Sequence, residues 1–237
     1  MTRALAPLPP RFAETRDALH RLAVYVISPA QRLANGEIIL RATPGGFATF
    51  AFAGGRVIGV DGADLVVDGA HHPITSLNAA ARLAGIVPDV AQQELFDVPL
   101  HGDLDAPLAV DAAAAHALGA WYAFATRALD AVHAGADPGE DASLVRIWPE
   151  HFDAAIDAGD DAAGRRATYG ASPGDSHHAE PYLYASPWAG RVDAFFDDPG
   201  FAGAARTHGR LEASPDPLAA AVRFFGEACA HVRRPAG

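Results

Sequence analysis

The sequence predicts an α+β protein in which an antiparallel sheet packs against helices. Three observations support this class. Residues 38–69 alternate short β-rich runs with glycine turns, the segment around Trp148 and Tyr182 contains further strand-forming runs, and two long stretches repeat apolar residues at helical spacing. We expect the meander and the second-half strands to build one antiparallel sheet, covered by helices at 111–134 and at the C-terminus.

The first half begins with a predicted helix in "ETRDALHRLAVYVI", which Ser28-Pro29 should interrupt. Next comes "EIILRATPGGFATFAFAGGRVIGVDGADLVVDG". Its turns at Pro44-Gly45-Gly46, Gly54-Gly55 and Asp61-Gly62 predict an antiparallel meander of about four strands, because glycine permits the positive φ values of tight hairpins.

The helices that follow have recognisable ends. A short helix after "HHPIT" should be capped by Thr75 or Ser76 and end at Gly85. Residues 111–133 carry one apolar face, and the C-terminal helix has Asp216 as its cap and Pro217 in its first turn. We expect one domain over residues 1–237, with two subdomains divided near 135–143, in "AGADPGEDAS", as the alternative.

Composition excludes several function classes. All 18 basic residues are arginine, so a lysine-bound pyridoxal phosphate and a P-loop nucleotide site are excluded. A net charge of −11 argues against nucleic acid and against anionic membrane surfaces as partners. No apolar run could span a bilayer, the N-terminus lacks a secretory h-region, and a single cysteine, Cys229, fits a reducing compartment. These features predict a cytoplasmic protein and indicate nothing about its oligomeric state.

A serine-hydrolase motif occurs in "GASPG", but it predicts a turn. The residue after Ser172 is Pro173, which has no backbone N–H to donate to an oxyanion. Ser172-Pro173-Gly174-Asp175 has the proline and glycine positions of a type II turn, with positive φ at Gly174.

Histidines and carboxylates flank this turn on two predicted strands. Side chains alternate along a strand, so His151 and Asp153 of "WPEHFD" would share one face of their strand. His178 and Glu180 would likewise share one face of the later strand. If the strands are neighbours, the four side chains could bind Zn²⁺, Fe²⁺ or Mn²⁺. Solvated histidines and a structural glutamate are the alternative, since no strict metal signature is present.

Aromatic residues concentrate in the same region. Five of the eight Tyr and Trp residues lie there, and large amphipathic rings beside polar groups are typical of a ligand pocket. A sheet core is the alternative, because aromatic residues also favour strands. The candidate ligand-binding residues are Trp148, Tyr169, Tyr182, Tyr184 and Trp188.

The segments "IWPEHFDAAI", "YGASPGD" and "EPYLYASPW" together resemble an uncharacterised, mainly actinobacterial protein family. That family carries W-P-x-x-F-D, G-x-x-P-G-D and P-Y-x-Y segments. The resemblance covers residues 144–190 and implies that the three segments contribute to one group of residues. It names no reaction, because the family has no assigned activity.

Two functions remain open from the sequence. One is a metal-dependent enzyme, of hydrolase or oxygenase type, that acts on a small polar substrate and uses the four candidate ligands. The other is a non-enzymatic protein that binds a small ligand or a partner through its aromatic residues.

Overall fold

The computed structural model describes residues 5–91, 98–99, 103–137, 140–190 and 193–234. It has the expected α+β class: two antiparallel five-stranded sheets and helices. Contrary to the expectation of a single sheet, the meander strands and the second-half strands lie in separate sheets, in the orders β1-β2-β3-β4-β5 and β10-β9-β8-β7-β6.

The elements are bounded as follows. The helices are α1 Phe12–Leu22, a π-helical turn Ala23–Ile27, α2 Ser28–Asn35, α3 Leu77–Ala84, α4 Ala112–Ala134, α5 His208–Glu212 and α6 Pro217–Arg233. The strands are β1 Arg41–Thr43, β2 Gly46–Ala48, β3 Ile58–Asp61, β4 Asp64–Val67, β5 Ala70–Pro73, β6 Arg146–Trp148, β7 Asp153–Asp160, β8 Arg165–Ser172, β9 Tyr182–Pro187 and β10 Ala204–Thr207.

The chain divides into two compact units. The first, here the meander unit, comprises Leu8–Ala123 and Arg146–Asp153. The second, here the C-terminal unit, comprises Met1–Pro7, Phe124–Val145 and Ala154–Gly237. The division therefore falls inside α4 and again near residues 145 and 153. The expected boundary at 135–143 lies within the C-terminal unit, and its residues 138–139 are outside the described part of the chain.

The first helix does not stop at Ser28-Pro29, contrary to the expectation. A π-helical turn over Ala23–Ile27 carries the chain into α2, and the Ser28 N–H donates to the Ala23 carbonyl five residues back. Proline cannot donate to the carbonyl four residues before it, which is that of Tyr25. The Asp89 N–H donates to the Tyr25 carbonyl instead, at 3.0 Å, so the helix continues with this acceptor satisfied.

The meander has five strands, one more than expected, because "AHHP" forms β5 after the Asp68-Gly69 turn. Asp68 and Gly69 both have positive φ, 52° and 84°, which is the geometry of a type I′ hairpin turn. One face of the sheet is buried, with Phe47, Ile58 and Leu65 each fully inaccessible to solvent.

The C-terminal unit contains a long hairpin over "DAGDDAAGRRATYG", whose acidic and glycine residues are more typical of a loop than of strands. Strands β7 and β8 pair from Ala154↔Ala171 to Asp160↔Arg165, and the turn ends at Gly164 with φ 65°. Alanine and glycine supply half of the fourteen paired positions, so neighbouring backbones approach there without bulky side chains. Tyr169 on this hairpin packs edge-to-face on Phe225 of α6, with ring centroids 6.2 Å apart.

Within the described ranges, no helix is both long enough and apolar enough to cross a membrane.

We predict that Gly59→Ala destabilises the protein by about 1–3 kcal/mol, because it overpacks the sheet. A Cβ at Gly59 would lie 2.6 Å from the Ala48 Cβ and 2.7 Å from the Phe47 carbonyl oxygen. The matched control is Gly226→Ala on α6, where no atom lies within 4 Å and the free energy of unfolding should rise by about 0.5–1 kcal/mol. Urea unfolding measures both, and equal stabilities for Gly59→Ala and wild type would refute the prediction.

Candidate functional site

The four predicted metal ligands are distributed over both units. His151 and Asp153 belong to the meander unit, and His178 and Glu180 belong to the C-terminal unit. Across the residues that the structure describes, no group of three or more His, Cys, Asp or Glu side chains is arranged to hold a metal ion.

The segment "WPEHFD" is not a continuous strand. After β6, Pro149–Phe152 form a turn in which the Phe152 N–H donates to the Trp148 carbonyl at 2.7 Å. His151 is exposed in this turn, whereas Asp153 is 3% exposed and begins β7. The strand alternation that would align His151 with Asp153 therefore does not apply.

Phe152 fixes this turn from inside the meander unit. It has φ 55°, in the left-handed region, although its side chain is 1% exposed. The Tyr122 hydroxyl donates to the Phe152 carbonyl at 2.6 Å, and the Phe47 ring meets the Phe152 ring edge-on with centroids 5.1 Å apart. Burial raises the pKa of Tyr122 well above its ordinary value, and the nearby Asp153 carboxylate adds to the rise, so this hydroxyl stays a donor.

His20 is a second support of the turn, and no motif or spacing in the sequence marks it. Its ring stacks on Phe152 with centroids 4.8 Å apart, and Nε2 donates to the Pro149 carbonyl at 2.8 Å. Burial lowers the pKa of His20 to about 4, because desolvation of the charged ring outweighs the favourable carbonyl contact. The imidazole is therefore neutral at pH 7.

In the C-terminal unit, the segment from Asp175 to Glu180 is a loop, and β9 begins only at Tyr182. Asp175 organises this loop. One carboxylate oxygen accepts from the N–H groups of His177 and His178, at 2.7 and 2.9 Å, and the other accepts from the Tyr182 hydroxyl at 2.6 Å. Burial opposes the charged form, but these three hydrogen bonds outweigh it and lower the pKa of Asp175 below its ordinary value.

His178 forms the centre of a side-chain cluster. Its Nε2 lies 3.1 Å from one carboxylate oxygen of Asp198 and 3.2 Å from the other. Its ring lies 4.4 Å from the Tyr182 ring, measured between centroids. We call the following residues the His178 cluster: Asp175, His178, Tyr182, Tyr184, Asp198 and Phe201.

Three aromatic rings form the apolar side of the His178 cluster. The centroids of Tyr182, Tyr184 and Phe201 lie 6.0 to 6.3 Å apart in all three pairs. The His178 and Asp198 side chains retain 17% and 6% of their accessible surface. The cluster therefore combines a nearly buried carboxylate, a partly accessible imidazole and aromatic rings in tilted and edge-on contact.

Glu180, the fourth predicted metal ligand, has a different role from His178. Its carboxylate accepts from the Gly209 N–H at 2.8 Å, near the start of α5. This contact ties the loop before β9 to the short helix after β10.

The five predicted ligand-binding aromatics are only partly brought together. Tyr182 and Tyr184 share the His178 cluster. Tyr169 pairs with Ala185 while Tyr184 pairs with Gly170, so Tyr169 lies on the opposite face of the sheet. Trp188 is 51% exposed and stacks under the Arg166 guanidinium at 4.8 Å, and Trp148 ends β6 in the meander unit.

The serine motif is a turn, as the sequence predicts. Gly174 has φ 101°, and its N–H donates to the Ser172 hydroxyl oxygen at 3.1 Å. Ser172 ends β8 and is 4% exposed, so its hydroxyl closes the turn locally.

Two cluster residues were missed because they come from a distant segment. Asp198 and Phe201 lie in "AFFDDPGFAG", between β9 and β10, which has no periodicity and no metal or nucleophile spacing. The only available signal was composition, since acidic and aromatic residues alternate with glycine and proline there.

Comparison of the chain with protein-family models, with curated proteins and with solved structures finds no match. The resemblance to an actinobacterial family stays a prediction.

We predict that acid destabilises the protein through His20. Its folded-state pKa of about 4 is below the ordinary 6.5, so the unfolded chain binds the extra proton first. The stabilising contribution is complete above about pH 6.5 and is lost as the pH falls toward 4, by about 3 kcal/mol in total.

His20→Gln tests this prediction, because glutamine can keep the hydrogen bond to Pro149 but does not titrate. Urea unfolding between pH 4 and 7 should give a shallower pH dependence for this variant. The control His116→Gln, at an exposed position on α4, should keep the wild-type slope. A His20→Gln slope equal to that of wild type would contradict the role of His20.

Proposed function

We propose that this protein binds a small polar ligand at the His178 cluster. This function corresponds to the non-enzymatic alternative of the sequence analysis. The observation that carries the proposal is the hydrogen-bonded Asp198–His178 pair placed directly against the Tyr182 ring. Ligand sites in proteins combine apolar rings with a few fixed polar groups in this manner.

Hydrogen bonding makes the polar groups of the cluster rigid. Asp175 fixes the loop backbone and the Tyr182 hydroxyl, and Asp198 fixes the His178 ring while also accepting from the Gly200 N–H at 2.9 Å. Groups held by such contacts lose little conformational freedom when a ligand binds. This preorganisation supports a binding role beyond that of a structural hydrogen bond.

The charge of the cluster favours ligands that donate hydrogen bonds. Two carboxylates and three aromatic rings surround one imidazole, and the faces of aromatic rings attract cations. The ligand class that fits is a small molecule bearing an ammonium group or hydroxyl groups. A carboxylate ligand would be repelled by Asp175 and Asp198.

We predict that ethanolamine binds at this cluster more tightly than ethylene glycol, and that glycolate does not bind there. The three probes have similar size and differ in charge. Titrations followed by the imidazole signals of His178 in ¹H–¹⁵N NMR spectra measure the affinities. Asp198→Asn should weaken ethanolamine binding about tenfold, since a charge-assisted hydrogen bond contributes about 1.5–3 kcal/mol.

Asp161→Asn, at an exposed turn position, is the matched control and should bind ethanolamine like wild type. The signals of His178 are assigned by their loss in His178→Gln. Preference for glycolate over ethanolamine, or unchanged His178 signals with all three probes, would refute the proposal.

The metal-dependent enzyme stays a prediction of the sequence, with a separate test. If His151, Asp153, His178 and Glu180 bind a metal, untagged protein should contain one equivalent of Zn, Fe or Mn by elemental analysis. The content should then fall in both His151→Ala and His178→Ala, because each ligand contributes to affinity. Substoichiometric metal, with no stabilisation on adding these ions, would contradict the prediction.

A further inference from the structure

The outer face of the meander sheet carries a continuous row of residues, one from each strand. The strand register pairs Arg41 with Ala48, Ala48 with Gly59, Gly59 with Val66, and Val66 with His71. The next row, through Phe47, Val60 and Leu65, points to the buried face. The row from Arg41 to His71 therefore crosses the sheet on its other face, where Ala48 is 4% exposed and lies recessed between longer side chains.

The middle of this row is a trough. Gly59 has no side chain and Ala48 has only a methyl group, whereas Arg41 and Val66 extend on either side. An open cavity of about 470 Å³ lies over this floor, lined also by Thr43, Val57 and Asp61. This volume is within the usual range for small-molecule sites, about 300–1,000 Å³.

Close packing of the backbones forces the floor of the trough to be flat. A Cβ at Gly59 would lie 2.6 Å from the Ala48 Cβ, so no larger residue can occupy that position without moving β2. With strands about 4.8 Å apart, the apolar floor from Ala48 to Val66 is about 10 Å long. It accommodates a linear or flat apolar group laid across the strands.

A positive charge lies at one end of the trough. The Arg41 Nε donates to the Thr49 carbonyl at 3.0 Å, which holds the side chain in place. Among the residues that the structure describes, no carboxylate forms an ion pair with Arg41, although the chain carries a net charge of −11. Asp64, in contrast, lies 3.5 Å from His71 at the opposite edge. The Arg41 end is therefore suited to an anion such as a carboxylate. A guanidinium can bind a carboxylate through two parallel hydrogen bonds.

We propose that the outer face of the meander binds a small carboxylate with an apolar body, with the carboxylate on Arg41 and the apolar body over Ala48, Gly59 and Val66. This site lies in the meander unit, whereas the His178 cluster lies in the C-terminal unit. The two sites prefer ligands of opposite charge.

The probe is octanoate, used below its micelle-forming concentration and titrated into the full-length protein by calorimetry. Octan-1-ol lacks the charge, octylammonium reverses it, and acetate lacks the apolar chain. Octanoate should bind at least tenfold more tightly than each of these compounds, because only octanoate engages both Arg41 and the trough.

Two variants locate the site. Arg41→Gln should weaken octanoate binding about tenfold. Val66→Trp keeps a strand-forming residue but fills the trough, so binding should be lost. The matched control is Arg82→Gln, an exposed arginine on α3 in the same unit, which should leave the affinity unchanged. Circular dichroism verifies that each variant is folded, and the probe comparison on wild type needs no variant.

Equal binding of octanoate and octan-1-ol, an unchanged affinity in Arg41→Gln, or no octanoate binding by wild type would each overturn the proposal. Octanoate should also leave the His178 NMR signals unchanged. A shift of those signals without any effect of Arg41→Gln would place octanoate at the other site and refute this one. Failure of ethanolamine to bind at His178 has no bearing on this result.

Discussion

One buried phenylalanine in a left-handed conformation sets the course of the chain through the meander unit. Phe152 has φ 55°, and such a conformation for a bulky residue costs about 1–3 kcal/mol. The cost is offset because the Tyr122 hydroxyl holds the Phe152 carbonyl and the rings of His20 and Phe47 enclose its side chain. The tight turn that results takes His151 out to solvent and brings Asp153 into the interior. The chemistry available at "WPEHFD" thus depends on a packing constraint.

Local signals in the sequence were sufficient to predict the class of the fold and the ends of many helices and strands. Ser76 and Asp216 cap their helices by accepting from Ala79 and Ala219, at 3.2 and 3.0 Å, as their residue types and positions predict. Interactions between distant residues could not be predicted in this way. The helix passes Pro29 through a π-helical turn, and the Asp89 N–H satisfies the Tyr25 carbonyl. Nothing near Pro29 in the sequence indicates this contact. The β7–β8 hairpin was missed because alanine, glycine and aspartate have low strand propensity, which sheet packing overrides.

The candidate site was predicted in part for the same reason. Tyr182 and Tyr184 are two residues apart on one strand, so the sequence predicts that they lie on the same face. The polar residues that contact these tyrosines lie in loops, and loops have no periodic pattern in the sequence from which their positions could be predicted. Asp198 reaches His178 from a segment twenty residues away, and Asp175 is held by the turn that ends β8. The two proposed sites consequently differ in origin, because the trough is a product of strand register and the His178 cluster is a product of loops.

The division of the chain also has a consequence for its evolution. The meander unit is assembled from two separate stretches, Leu8–Ala123 and Arg146–Asp153, with residues of the other unit between them. A ribosome therefore releases the helix and the meander before Phe152, around which His20 and Phe47 pack, has been synthesised. A single recombination event cannot exchange one unit for a foreign copy, because two separate stretches of the gene would have to be replaced together. Exchange of either unit alone therefore requires replacing more than one stretch of the gene.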